Sequence, residues 1–252
     1  MLGHKIIGSG SEHVLILHDW FSDTSSYDSI LPYLSTNLFT YCFVDIRGYG
    51  RSKDLSGSFS VEEIYTDLLE VADQLGWQTF HLIGHSMTGL VVQYALAKCP
   101  HRLKRVIAVA PTAACGAAPM EENMPFFEDA AQENDEGARA LLGFMTSNTY
   151  DGAFIDYKIR CWRTVATNQA RLAYLHMYVR TNIVQQIQGA THPLLVVTGE
   201  NDVEGHRLKD MQETLGEWFP NCSFQDLKAS GHYPMQEVPA RFTEVIEAYL
   251  KG

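Results

Sequence analysis

The stretch Phe80-His81-Leu82-Ile83-Gly84-His85-Ser86-Met87-Thr88-Gly89 runs from an apolar block into a serine flanked by glycines, and then into a helical pattern over Thr88–Lys98. Read physically, a buried strand ends near Gly84 and a helix begins just past Ser86. The chain then turns sharply at the serine and lifts its hydroxyl clear of the backbone. Small residues suit such a turn because strand and helix nearly touch, and the helix's amino end offers free N–H groups to developing negative charge. Gly84 fits, whereas Thr88 stands where a second glycine is usual. A serine between glycines is also an ordinary turn residue, so the motif needs partners elsewhere before it reads as a nucleophile.

Outward from this point, Val14–Leu17, Tyr41–Val44, Arg105–Ala110 and Leu194–Thr198 are further short apolar runs bounded by Gly, Pro, Asp or polar residues. They read as buried parallel strands, with His4–Ile7 and Cys222–Lys228 as additional strands near the two ends. Helical patterns fall between them at Tyr27–Leu34, Val61–Leu75, His206–Trp218 and Pro239–Lys251. The clearest is Val61–Leu75, where Ile64, Leu68, Leu69, Ala72 and Leu75 keep the spacing of one buried face and Ser60 with Glu63 supplies a capping box. Alternation of this kind implies an α/β fold with a mostly parallel sheet covered by helices on both faces.

The alternation stops between Ala113 and Gly189, a segment with helical patterns rich in Met, Phe and Tyr and no convincing strand. The expected organisation is a split core over residues 1–112 and 190–252 with a helical insertion over 113–189. The insertion is acidic at Glu121, Glu122, Glu128, Asp129, Glu133, Asp135 and Glu136, then basic at Lys158, Arg160, Arg163, Arg171 and Arg180. Solvated faces paired across helices are the expected reading of that polarity.

The 252 residues, 46% hydrophobic and 19% charged, suit one folded unit and disfavour disorder, collagen-like repeats and coiled coil. A net charge of -11 repels phosphate backbones and anionic lipid surfaces, so neither nucleic acid nor a membrane is an expected partner. No apolar run reaches the ~20 residues that cross a bilayer, and the start lacks a secretory block, so a cytoplasmic protein is expected, monomeric or homodimeric. Cys42, Cys99, Cys115, Cys161 and Cys222 are scattered, with no CxxC pair or Cys/His cluster. They are expected to be reduced, mostly buried and not metal ligands. With no P-loop and no GxGxxG after the first clear strand, no cofactor is called for.

A serine nucleophile needs a histidine within hydrogen-bond reach, held in one tautomer by a carboxylate. His232, in the loop Ser230-Gly231-His232-Tyr233-Pro234 between the last strand and the last helix, is the best placed of the ten histidines. Asp202 follows the strand Leu194–Thr198 in Gly199-Glu200-Asn201-Asp202, with Glu200 as the competing carboxylate. Both sit at carboxyl ends of strands, where open α/β sheets place their sites.

In order and spacing these segments resemble the α/β-hydrolase superfamily, in its branch of small serine enzymes with a helical cap inserted after the sixth strand, over essentially the whole chain. The resemblance implies a catalytic order of nucleophile, acid and histidine, here Ser86, Asp202 and His232, and its acid-loop spacing favours Asp202 over Glu200. It also implies that the backbone N–H groups of Trp20, in His18-Asp19-Trp20-Phe21, and of Met87 hold an oxyanion. Asp45-Ile46-Arg47-Gly48-Tyr49-Gly50-Arg51-Ser52 resembles a structural loop of the family near the site's mouth, and Glu237 with Pro239 matches the continuation of its histidine loop. Asp19 departs from the family's glycine. Aimed into the pocket it would oppose an oxyanion and raise the pKa of His232, and the expected reading is a solvent-facing turn residue without a catalytic role.

The resulting expectation is a hydrolase of small, apolar or aromatic carboxylic esters or lactones acting through an acyl-enzyme, with Trp20, Trp162 and Tyr233 as substrate contacts. A serine at the elbow argues against the carboxylate-nucleophile dehalogenases and epoxide hydrolases of the family. Carbon–carbon bond hydrolases, thioesterases, perhydrolases or haloperoxidases, cofactor-free dioxygenases and ligand receptors share the fold, which alone does not separate them.

Overall fold

A computed structural model of the chain describes residues 1–150 and 152–252. Seven strands, β1 (His4–Gly8), β2 (Glu12–Leu17), β3 (Phe39–Val44), β4 (Phe80–His85), β5 (Leu103–Val109), β6 (Leu194–Gly199) and β7 (Cys222–Leu227), form one sheet in the order β1-β3-β2-β4-β5-β6-β7. Every pairing is parallel except that of β1 with β3. The central strands are apolar and buried along their inner lengths, as in Val14–Leu17, Val106–Val109 and Leu194–Val197, because helices cover both faces. After β2 the chain steps to one side for β3 and returns to the other side for β4. The sheet order therefore switches between the carboxyl ends of β2 and β4, the place where such sheets open a crevice.

The core helices are α1 (Val61–Gln74) and α2 (Gly89–Lys98), then α8 (Leu208–Glu213), α9 (Leu215–Trp218), α10 (Pro234–Glu237) and α11 (Pro239–Lys251). Ser60 caps α1 by accepting from Glu63 N at 3.1 Å. The Glu63 carboxylate reaches back one residue further than a capping box requires, to Phe59 N at 2.8 Å. Two expected helices take other forms. The segment expected at Tyr27–Leu34 is a 3-10 helix over Thr24–Tyr33 that starts at Asp23 and contains Pro32, whose missing N–H disfavours a regular α-helix. The segment expected at His206–Trp218 divides into α8 and α9 at Thr214, which leaves helical geometry.

The insertion carries α3 (Met124–Ala131), α4 (Asp135–Met145), α5 (Gly152–Val165), α6 (Asn168–Arg180) and α7 (Val184–Ile187), and no strand among the described residues. It follows the fifth strand rather than the sixth, because a single antiparallel edge strand, β1, stands outside β2 and β3. Its charges pair across helices as Arg163–Asp135 and Arg180–Glu121, but Lys158 and Arg171 break that expectation, since both are buried. The Arg171 guanidinium donates to the carbonyls of Ala131 and Gln132, satisfying orphan acceptors at the end of α3. The cysteines are all free as expected, but only Cys42 and Cys99 are buried while Cys115 is exposed. Among the described residues no helix is long and apolar enough to cross a membrane.

Candidate active site

Ser86 closes β4 with φ 54, a left-handed conformation that costs a non-glycine residue roughly 1–3 kcal/mol and persists only where the surroundings impose it. Here they do. A Cβ on Gly84 would stand 2.6 Å from the Thr88 carbonyl oxygen and 2.6 Å from Val92, so α2 can turn back this tightly only across a glycine. Thr88, in place of the second glycine, is buried and fully engaged. Its hydroxyl accepts from His85 N at 2.9 Å, and its hydrogen points to the carbonyls of His85 and His18, each 3.0 Å away. The departure from glycine therefore ties the elbow to the loop after β2.

His232 Nε2 lies 3.0 Å from Ser86 Oγ, and His232 Nδ1 lies 3.1 Å from both oxygens of Asp202. The three predicted residues thus converge from three loops at carboxyl ends of strands. Since Nδ1 must donate to the carboxylate, Nε2 carries the lone pair that faces the serine hydroxyl. Burial would raise the Asp202 pKa, but the His232 ring outweighs it and the carboxyl stays below its ordinary value. For His232, burial pulls the pKa down, and the charge and hydrogen bond of Asp202 carry it above the ordinary imidazole value. Glu200 is turned elsewhere, to Lys228 Nζ at 2.9 Å. The acid and histidine loops meet across Gly199, where a Cβ would lie 2.1 Å from the Gly231 carbonyl oxygen.

Glu237 holds the histidine loop from behind, one oxygen accepting from Gly231 N at 2.5 Å and the other from Tyr233 N at 2.8 Å, on either side of His232. Glu237→Ala strands both donors. It is expected to lower unfolding free energy by about 1.5–3 kcal/mol, read by urea denaturation, and to reduce kcat more than it changes KM. Unchanged stability and kcat would show that the loop is held by other contacts.

The loop after β2 stands opposite the elbow. Trp20 is fixed at both ends, its carbonyl accepting from Tyr49 Oη at 2.8 Å and its indole N–H donating to the Arg171 carbonyl at 2.8 Å. Met87 is in the first turn after the elbow, where N–H groups lack helical partners. His18 Nε2 accepts from Ile46 N at 3.2 Å, so its Nδ1–H donates to the Asp19 carbonyl at 2.7 Å, within its own loop. Asp19 does not face solvent. It is 1% exposed, with Oδ2 accepting from Phe21 N at 3.0 Å and Oδ1 from Ser26 Oγ at 3.0 Å. Burial works to raise its pKa, yet the charge of Lys158, with the Phe21 N–H, holds it far below the ordinary carboxylate range. Lys158 supplies the nearest cation, Nζ 3.8 Å from Oδ2.

Residues 12–135 match the family model described as alpha/beta hydrolase fold. Over 256 residues, 97% of this chain and 95% of its relative, the sequence is 27% identical to pimeloyl-[acyl-carrier protein] methyl ester esterase of Klebsiella pneumoniae (strain 342). A serine hydrolase-like protein of Dictyostelium discoideum is 31% identical over 99 residues, a stretch that spans 38% of this chain and only 28% of that protein. The crystal structure of the enol-lactonase from Burkholderia xenovorans LB400 has the same fold, with a TM-score of 0.86 at 21% identity, covering 100% of this chain and 96% of that one. The chain has the α/β-hydrolase fold.

In this α/β-hydrolase fold the region expected to meet substrate is closed by aromatic rings. Trp20 meets Trp162 edge to face at 4.7 Å and Tyr178 at 5.4 Å. Trp162 has no exposed surface and packs on Trp20 and Phe21. Tyr233 is also buried, its ring beside His85 and His232 and under the Lys158 ammonium at 4.0 Å. His85 Nε2–H donates to the His232 carbonyl at 2.7 Å, and burial first of all lowers its pKa to about 3, so the ring is neutral.

Asp202, His206 and His232 form a group of possible metal ligands whose donor atoms lie within 4.8 Å of one another. Asp202 and His232 Nδ1 already bond to each other, so a cation there would break the hydrogen bond that orients His232. Sequence reading missed Lys158, although the signal was present: it falls among Ile155, Ile159 and Trp162 on the buried face of α5.

Proposed function

We propose that this α/β-hydrolase-fold protein cleaves small apolar or aromatic carboxylic esters, including cyclic ones, through an acyl-enzyme on Ser86. The observation that carries the reading is the line from Ser86 Oγ to His232 Nε2 at 3.0 Å and from His232 Nδ1 to Asp202 at 3.1 Å. As Oγ attacks the ester carbonyl, its proton passes to Nε2. The carbonyl oxygen, now an oxyanion, points at the N–H groups of Trp20 and Met87. Collapse of the tetrahedral adduct breaks the bond to the alkoxy oxygen, which takes the proton from Nε2 and leaves as the alcohol. Water repeats the steps on the acyl-enzyme, releasing the acid and restoring the serine. The methyl ester esterase that aligns along nearly the whole chain supports ester cleavage over the other chemistries of the fold. The aromatic rings of Trp20, Trp162 and Tyr233 support an apolar acyl or aromatic group, and among the described residues the one cation over them that lies next to the elbow, Lys158, is matched by Asp19.

Mixing the protein with p-nitrophenyl butyrate should release a burst of p-nitrophenol equal to the enzyme present, and the quenched protein should carry one butyryl group on the peptide containing Ser86. Steady turnover with the acyl group on another residue would overturn the assignment.

A further inference from the structure

We propose that Lys158, carried by the insertion, is a positioning residue for the oxyanion hole: it cancels the charge of Asp19, so full catalytic rate requires α5 seated on the loop after β2. The inference rests on the ester-hydrolase reading above and adds a residue to it.

Asp19 immediately precedes Trp20, and its buried carboxylate has two hydrogen-bond donors, Phe21 N and Ser26 Oγ. Neither donor brings a full positive charge. An uncompensated carboxylate beside the Trp20 N–H would oppose the negative charge that grows on the substrate oxygen, and in a water-poor site that opposition is strong. Lys158 places an ammonium 3.8 Å from Oδ2 and turns a lone charge into a dipole, whose field falls off faster. Burial draws the Lys158 pKa down and the Asp19 carboxylate works against it; Nζ has no hydrogen-bond partner among the described residues, so what it offers Asp19 is charge, with the face of Tyr233 at 4.0 Å as its other support. One helical turn further along α5, Trp162 packs on Trp20. The same face of α5 thus touches the loop twice, once for charge and once for packing.

A role for Lys158 in binding a substrate carboxylate fits less well, because Asp19 already matches it and Asp23 and Glu237 add further negative charge nearby. The groups that face His232 are Asp202 and His206 from the acid loop, Asp19 from the loop after β2, His85 from the elbow, and Tyr233 and Glu237 from its own loop, with Lys158 above Tyr233. Among them Asp19 and Lys158 act on the histidine in opposite senses. Removing the lysine leaves Asp19 free to raise the pKa of His232.

The test compares Lys158→Met, Asp19→Asn and the double variant on p-nitrophenyl butyrate, reading kcat, KM and the acid limb of the kcat/KM profile. Lys158→Met should lower kcat by roughly ten-fold, less than the 10²–10³ lost with a direct oxyanion donor, with little change in KM. Its acid limb should move to higher pH. The double variant should recover most of kcat and return the limb to wild type or below. A double variant no faster than Lys158→Met, or a Lys158→Met enzyme with wild-type kcat and pH profile, would overturn the proposal. Should Lys158→Met fail to fold, Lys158→Arg and the double variant decide: both should be folded and turn over within roughly three-fold of wild type, and a folded double variant slowed ten-fold would reject the idea. If Ser86 takes up the acyl group while these rates do not respond, this inference alone fails; if Ser86 takes up none, the hydrolase reading fails first.

Discussion

Ser86→Ala is expected to reduce kcat for p-nitrophenyl butyrate by about 10⁶-fold, the scale seen when a serine hydrolase loses its nucleophile. The reasoning is local. The substitution removes Oγ and its 3.0 Å bond to His232 Nε2 but leaves the Trp20 and Met87 N–H groups in place. What survives is hydrolysis by water held in the same site, which typically retains 10³–10⁴ over the uncatalysed rate. Stability should change by less than about 1.5 kcal/mol, because one hydrogen bond is lost and alanine must adopt the same left-handed turn that Ser86 adopts at φ 54. Ester binding should persist, so the variant would hold intact substrate long enough for its identification by mass spectrometry. Turnover within ten-fold of wild type in a folded variant would remove Ser86 from the mechanism.

The positions of these groups were legible in sequence to different degrees, and the differences have physical causes. Ser86 and Asp202 follow apolar runs with period-free burial, and His232 follows the edge strand β7, whose polar Ser223, Gln225 and Asp226 make it a weaker strand signal; a parallel sheet brings the ends of all three to one edge. Glu237 was visible only as a motif position; that it holds two N–H groups around His232 is a matter of loop curvature, which no local pattern states. Asp19 was misread because a carboxylate in a turn is usually solvated, and the cation that makes its burial tolerable lies far along the chain, in α5. Lys158 could have been suspected from its place among Ile155, Ile159 and Trp162, since a lysine within an apolar helical stripe implies a buried partner. Thr88 carried no such signal. Its hydroxyl is satisfied by backbone groups of the elbow and the loop after β2, which meet only in the folded sheet.

Asp202→Asn should lower kcat by about 10⁴-fold and, at the same time, shift the acid limb of kcat/KM to lower pH. The two effects share one cause. Asp202 accepts the proton of His232 Nδ1 and so leaves Nε2 free to receive the serine proton. An asparagine amide that turns its NH₂ toward the ring instead stabilises the tautomer protonated at Nε2, which cannot act as base. For the pH dependence, the active form is neutral His232, so the rate falls as pH drops through the histidine's pKa. In the wild type, burial lowers that pKa and the Asp202 charge more than restores it, which places the limb above the ordinary imidazole value of about 6.5. Without the carboxylate, burial acts against the remaining weaker charges of Asp19 and Glu237, and the limb retreats toward acid. The variant's deficit relative to wild type should therefore be smaller at pH 5 than at pH 8, a narrowing that misfolding would not produce. An Asp202→Asn enzyme with an unshifted limb and kcat near wild type would mean that another group orients His232, and Glu200, held by Lys228 and the Ala229 N–H, offers no geometry for it.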